Sequence, residues 1–204
     1  MSKIRNLHYL KSFGYEFVDK ELPIQETKSD FIELRKDISV CELCALSKKR
    51  KNALVEPFLK QSKLMVLDSF ADKNEDESGI LLNSRKGKKL LNLIKAVLDL
   101  KQDEIYMSYI YKCFSGNKND ALALSLCLPY FWAEFRLIKP SVLLILGEDS
   151  FINLGFEDFA RLRGELWTYK NSWIMPSFDI DFILKNPSYE KEFVKDLNKI
   201  KGLL

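Results

Sequence analysis

The sequence lacks internal repeats and low-complexity linkers, so we expect one globular domain rather than several. Its 204 residues, 47% of them hydrophobic, are enough to bury one substantial core. No apolar segment approaches the roughly 20 residues that cross a bilayer, and residues 1–6 lack the apolar core of a signal peptide. These absences predict a cytoplasmic protein that does not associate with a membrane.

A strong charge of one sign is also missing. The 32 Lys and Arg residues against 29 Asp and Glu leave a net charge of +3, which is too small by itself to indicate a polyanionic partner. Two short basic runs, residues 48–51 and 85–89, lie on either side of an acidic stretch at 72–77. Each run taken alone is more typical of a solvated surface than of a binding site. The single histidine, His8, is likewise more typical of a surface or core residue than of a ligand.

Short apolar runs alternate with segments of helical periodicity along the chain. The runs predict buried strands at about residues 63–68, 105–111, 140–147 and 172–176. The periodic segments predict helices at about 25–40, 84–98, 120–137 and 188–203, with a short helix from Asp149 and a loop or hairpin at 161–170. This alternation predicts an α/β fold with three α/β/α layers around a short, mostly parallel sheet. A ligand would bind beyond the carboxyl ends of the strands.

Four cysteines are the clearest candidates for chemistry. Cys41 and Cys44 form a C-x-x-C pair, whereas Cys113 and Cys127 lie far along the chain and are more widely spaced. In a reducing cytosol such residues are better interpreted as metal ligands or buried thiols than as disulfides. The wide second spacing disfavours a zinc ribbon, which uses two close pairs. Spacing alone leaves a [4Fe–4S] cluster, a zinc site and unligated thiols as alternatives.

Further motifs lie between and after the cysteines. They are Leu46 and Arg50, Lys112 before Cys113, Pro129-Tyr130 after Cys127, Ile138, Pro140, Val142, Leu146-Gly147 and Asn186-Pro187. In this order they resemble the iron–sulfur (family 4) uracil-DNA glycosylases over residues 30–204, with residues 1–29 as an N-terminal extension. The resemblance implies a [4Fe–4S] cluster, with zinc as the alternative, held by the four cysteines. The cluster would tie the N-terminal helix to the sheet and would not be the reaction centre.

The same resemblance assigns five residues to positions of the family's uracil pocket. Ser69 stands in place of a carboxylate and Asp68 in place of a glycine. Leu82 replaces a stacking phenylalanine, Tyr109 replaces the asparagine at the uracil edge, and Asp179 replaces a histidine. The resemblance therefore implies a diverged member of the family in which uracil excision is doubtful. Asp68 and Asp179 could still activate water or hold a metal, or they could cap loops and pair with cations.

Basic residues near these positions are candidates for phosphate contacts. They are Arg85, Lys86, Lys88 and Lys89, which open the helix after the first strand, and Arg163 in a later loop. Taken with the resemblance, they favour a noncatalytic DNA-binding protein linked to DNA repair, with a repair or replication protein as a possible further partner. Two alternatives remain: an active glycosylase that removes uracil or another damaged base, and a protein-interaction module.

Overall fold

The computed structural model describes residues 31–58, 62–116 and 118–204. Five strands lie in this part of the chain: β1 Leu64–Asp68, β2 Ile105–Tyr109, β3 Val142–Leu146, β4 Trp167–Tyr169 and β5 Ser172–Ser177. The helices there are α1 Phe31–Ser39, α2 Lys73–Ser78, α3 Arg85–Leu98, α4 Ala121–Ile138, α5 Gly147–Asn153, α6 Phe159–Leu162, α7 Ile180–Lys185 and α8 Glu190–Ile200. Short 3₁₀ turns occur at Ala45–Lys48, Gln102–Glu104, Pro187–Tyr189 and Lys201–Leu203.

The strands form one sheet in the order β2-β1-β3-β5-β4. The first four strands are parallel, and β4 pairs antiparallel with β5 at the edge. Every residue of β1, β2 and β3 is buried, as expected for strands covered on both faces. The register sets Asp68 beside Tyr109 and Leu146 beside Ser177, so the carboxyl ends of the four parallel strands meet at one edge.

Alternate strand residues point into two separate cores. Leu64 and Val66 pack with side chains of α3, α7 and α8 on one face. Met65 and Leu67 pack with side chains of α1, α4 and α5 on the other face. The predicted three-layer α/β/α fold with a mostly parallel sheet is therefore confirmed.

Most predicted elements lie within a few residues of the observed ones. The segment at 161–170 includes the end of α6 and β4, which forms a hairpin with β5. The extension at 1–29, His8 and the start of the helix predicted at 25–40 lie outside the described residues. Two six-residue helices, α2 and α7, were not among the predicted elements. They are too short for helical periodicity and begin instead at local caps, Asp72 and Asp179.

Helix α4 has the predicted length but is more apolar than the sequence interpretation allowed. Its 18 residues have a mean hydropathy of 1.4, so by length and composition alone it could cross a membrane, and the expectation that no segment approaches this length was wrong. In the fold, Phe131 and Phe135 are buried in the core of one face, and Glu134 is buried as well. A single helix of this kind is weak evidence for a membrane, because a core helix meets the same criteria.

Candidate functional site at the carboxyl ends of the strands

The four cysteines come from three segments that the fold brings near one another. Cys41 and Cys44 follow α1, Cys113 follows β2, and Cys127 lies in α4. All four are free thiols, and Cys113 and Cys127 are buried. Burial raises the pKa of the Cys113 thiol and raises that of Cys127 to about 12, and charges on Cys41 and Cys44 add to both shifts. The two pairs thus lie within electrostatic range of each other.

The thiols do not, however, adopt a ligating arrangement. Among the residues that the structure describes, no group of three or more His, Cys, Asp or Glu side chains is placed to hold a metal ion. The Arg50 guanidinium donates one hydrogen bond to Sγ of Cys113 at 3.2 Å and another to the Ser39 carbonyl at 2.7 Å. Four free thiols with a guanidinium at one sulfur match the donor chemistry of a Cys₄ site. The residues present therefore fit a Cys₄ cluster in composition.

Tyr109 fills the end of β2. Its side chain is fully buried, and its hydroxyl donates to the Glu75 carboxylate, 2.9 Å from each oxygen. Glu75 is itself fully buried and also accepts hydrogen bonds from the backbone N–H groups of Asp72 and Leu82. Burial raises the pKa of Glu75, and these hydrogen bonds oppose the rise. The position that the resemblance assigns to the base edge is thus occupied by a tyrosine ring with a carboxylate partner.

Leu82 is a core residue rather than a stacking surface. It is 4% exposed and has a φ of 63°, in the left-handed region that β-carbon-bearing residues rarely adopt. Its backbone lies against α3, where a Cβ on Gly87 would be only 2.4 Å from the Leu82 Cα. The close approach of α3 to this loop holds Leu82 in place.

The two candidate catalytic carboxylates, on Asp68 and Asp179, have structural contacts. Oδ2 of Asp68 lies 3.0 Å from Nζ of Lys86; burial raises the pKa of Asp68, and the Lys86 charge opposes that shift. Asp179 caps α7 by accepting from the Phe182 N–H at 2.7 Å. These contacts correspond to the alternative in which the carboxylates cap loops and pair with cations. Ser69 places its hydroxyl 3.1 Å from that of Ser150.

The basic residues at the start of α3 divide into two groups. Arg85 and Lys88 are exposed and make no ion pair with any described residue. Lys89 pairs with Glu190 at 2.7 Å. Lys86 is 7% exposed and directs its ammonium inward to Asp68. The prediction of a phosphate contact at Lys86 is therefore corrected: its side chain is an internal counterion.

Arg163 also has partners within the fold. It lies 3.0 Å from Asp196 and 3.2 Å from Glu192, and its guanidinium stacks 4.3 Å from the centre of the Phe178 ring. A phosphate at Arg163 would have to compete with two carboxylates. Its role as a DNA contact stays a prediction.

A basic cavity beside the cysteines was missed by the sequence interpretation. It has a volume of about 300 Å³ and lies between α1 and the segment at 50–57. Its lining residues are Arg35, Ser39, Arg50, Lys51, Asn52, Ala53, Val55, Pro57 and Gly79. The basic run at 48–51 was a signal for Arg50 and Lys51, but nothing in the sequence pairs them with Arg35.

Comparison with known proteins agrees with the fold and with the order of the motifs. Residues 57–200 match the family model described as the uracil DNA glycosylase superfamily. The chain belongs to this superfamily.

Individual relatives place the chain more narrowly. It is 27% identical over 183 residues to the type-4 uracil-DNA glycosylase of Sulfurisphaera tokodaii, covering 84% of this chain and 83% of that protein. It is 26% identical over 180 residues to the type-4 enzyme of Saccharolobus solfataricus, covering 82% of this chain and 83% of that protein. A shorter match, 30% identical over 78 residues, is to a DNA polymerase of Bacillus phage SP01, covering 38% of this chain and 8% of that protein. The type-4 relatives support the family 4 assignment that the motifs predicted.

Proposed function

We propose that this protein binds DNA through a type-4 uracil-DNA glycosylase fold whose base pocket is closed, and that it acts in DNA repair without excising uracil. The Tyr109–Glu75 contact carries the proposal. A glycosylase must hold a flipped base in a pocket, stack it on a ring and stabilise the charge that develops on it. At the corresponding positions this chain has a buried tyrosine, a buried leucine and a helix-capping aspartate.

Opening this pocket for a base would be costly. The Tyr109 ring would have to leave the core, and Glu75 would lose its hydroxyl donor while remaining fully buried. A buried polar group left unsatisfied costs about 1–3 kcal/mol, and more when it is charged. Asp179, already bonded to the Phe182 N–H, offers a carboxylate where a donor to a developing anion is needed. Both features support the loss of uracil excision.

The four cysteines are the proposed ligands of a [4Fe–4S] cluster, with zinc as the alternative metal. Cys41 and Cys44 would supply two thiolates after α1, Cys113 one after β2, and Cys127 one from α4. A bound cluster would contribute its binding free energy to folding rather than to the reaction. The support is that free thiols from three segments lie within electrostatic range of one another and that a guanidinium contacts Sγ of Cys113.

Metal analysis of the purified protein tests this proposal. Protein produced with an adequate iron supply should contain iron and show the visible absorption of a [4Fe–4S] cluster. Cys113→Ser should lose both iron and soluble expression, whereas Ser125→Ala, an exposed change on the same helix as Cys127, should lose neither. Zinc in place of iron would favour the alternative metal. A Cys113→Ser protein that folds normally without metal would contradict the structural role.

DNA binding is proposed to rest on exposed cations at the carboxyl edge of the sheet. Arg85 and Lys88 project from the first turn of α3 without partners in the described part of the chain. Such binding depends on phosphate contacts and weakens steeply as salt rises. Arg85→Glu combined with Lys88→Glu should therefore weaken binding to any sequence and lower the salt slope by about one for each residue.

A matched double variant controls for net charge. Lys63 and Lys101 are exposed and lie before β1 and β2, at the opposite edge of the sheet, so Lys63→Glu with Lys101→Glu should leave binding nearly unchanged. Equal loss in both double variants would mean that total charge, not the α3 site, sets affinity. If the unsubstituted protein shows no salt-dependent DNA binding, the protein-interaction alternative is favoured.

A further inference from the structure

The cavity between α1 and the segment at 50–57 has an unusual lining for a protein of nearly balanced charge. Three of its lining side chains are cationic, namely Arg35, Arg50 and Lys51, and none of the lining residues is acidic. Its volume of about 300 Å³ exceeds that of a single phosphate group and is at the lower end of the range for small-ligand pockets.

One wall of the cavity is held rigidly by the fold. The Asp76 carboxylate accepts hydrogen bonds from the backbone N–H groups of Lys51, at 3.0 Å, and Asn52, at 3.3 Å. The Asn52 amide donates back to the Asp76 carbonyl at 2.7 Å, and the Leu54 N–H donates to the Lys112 carbonyl at 2.9 Å. Asp76 is 5% exposed, so its charge is directed at the backbone of this wall rather than at solvent. A wall fixed in this way needs no ordering of its backbone when a ligand binds.

The three cations have N–H donors that a ligand could use. Arg35 is exposed and pairs with no described residue. Within the described ranges, the Lys51 ammonium pairs with Glu77 at 3.2 Å, and their side chains are 64% and 41% exposed, so this ion pair is weak and easily exchanged. Arg50 uses two of its five N–H groups, on Cys113 Sγ and the Ser39 carbonyl.

We propose that this cavity is a phosphate-binding site. Guanidinium groups match the geometry of phosphate oxygens, and three cations without an acidic neighbour in the lining suit a doubly charged ligand. The phosphate comes either from a nucleic-acid backbone or from the free ion. The nucleic-acid source rests on the DNA binding proposed above. Arg50 connects the site to Cys113, so a ligand here contacts the same guanidinium as one of the proposed cluster ligands.

Two binding measurements on the full chain test the site. Inorganic phosphate binding is measured by titration calorimetry, and binding of a ten-residue oligothymidylate by fluorescence anisotropy at several salt concentrations. Arg35→Gln and Lys51→Gln should each weaken phosphate binding on the order of tenfold, the loss expected for one charge-assisted hydrogen bond. Each should also lower the salt slope for the oligonucleotide by about 0.7. Lys36→Gln is the matched control, because Lys36 is exposed beside Arg35 but does not line the cavity.

The outcomes separate the site from the general DNA-binding proposal. Loss in Arg35→Gln and Lys51→Gln but not in Lys36→Gln supports the site. If phosphate binding shows these losses but the protein does not bind the oligonucleotide, the site is supported with the free ion as its ligand. The DNA-binding proposal fails in that case. Phosphate binding that is unchanged in both cavity variants, or no binding of either probe by the unsubstituted protein, overturns the proposed site. If phosphate binding falls in both variants while the oligonucleotide slopes stay unchanged, the site takes the free ion. Since both substituted side chains are exposed, unchanged thermal unfolding should accompany any loss.

Discussion

Tyr109 and Glu75 make the most consequential side-chain contact at the carboxyl ends of the strands. Tyr109→Phe keeps the ring but removes the hydroxyl that both Glu75 oxygens accept. Because Glu75 stays buried, we expect a loss of about 1–3 kcal/mol in the free energy of unfolding, measured by urea denaturation. Tyr111→Phe is the control: its hydroxyl makes longer, partly exposed contacts of 3.1–3.4 Å, and the loss should be smaller. Equal losses of unfolding free energy in the two variants would show that the hydrogen bond to Glu75 stabilises the fold no more than the contacts of Tyr111 do.

The ionisation of Glu75 should make stability depend on pH. Burial raises the pKa of Glu75 above its ordinary 4.5. As pH rises past 4.5, the unfolded chain releases this proton first, so ionisation lowers the free energy of unfolding. Glu75→Gln cannot ionise, so its stability relative to the unsubstituted protein should increase from pH 4.5 to neutral pH, as measured by urea unfolding of both proteins. A difference that does not vary with pH would contradict this account.

Single positions were readable in the sequence, but their partners were not. The replacement residues at 69, 82, 109 and 179 follow from the resemblance to the family. That Tyr109 meets Glu75, 34 residues away, depends on how α2 packs over the end of β2. Lys86 belongs to a basic run that is typical of an exposed surface. Its ammonium nevertheless donates hydrogen bonds inside the fold, to Asp68 and to the Phe70 carbonyl. Local sequence carries no signal for such long-range contacts.

At the scale of elements, the approach of α3 to the loop before it fixes the position of Leu82. A methyl group at Gly87 would lie 2.4–2.5 Å from three backbone atoms of Leu82, so Gly87→Ala must displace either the helix or the loop. Overpacking of this kind costs about 1–3 kcal/mol, which a urea unfolding curve would show. Gly202→Ala is the control, because no atom lies within 4 Å of its Cβ position. A Gly87→Ala protein as stable as the control variant would mean that this contact is loose.

The longer elements were predictable because their patterns of apolar residues extend over many positions. Helix α3 begins at the Ser84 cap and ends at Asp99, close to the predicted bounds, and the strands read as continuous apolar runs. Helices α2 and α7 have six residues each, too few for a helical period to be recognised, so their capping residues are the clearest mark of where they begin. The basic cavity was equally hidden, because α1 and the segment at 50–57 contribute to it from separate parts of the chain.

At the scale of the whole molecule, two sets of contacts join the segments that carry the cysteines. Lys112, next to Cys113, places its ammonium 2.6 Å from Glu134 of α4, the helix that carries Cys127, and both side chains are almost fully buried. Arg50 links Cys113 to the end of α1 through the Ser39 carbonyl. Helix α1, the end of β2 and α4 are therefore connected by protein contacts at the place where the proposed cluster would bind.

The central claim is that the fold of a uracil-DNA glycosylase is retained around a closed base pocket. The direct test is an assay of abasic-site formation on single- and double-stranded oligonucleotides that contain uracil, with metal-replete protein and a type-4 uracil-DNA glycosylase as positive control. We predict no abasic sites above the protein-free background under conditions in which the control enzyme cleaves its substrate fully. The account would be contradicted if this protein formed abasic sites and if that activity fell in parallel with the folded fraction of the protein.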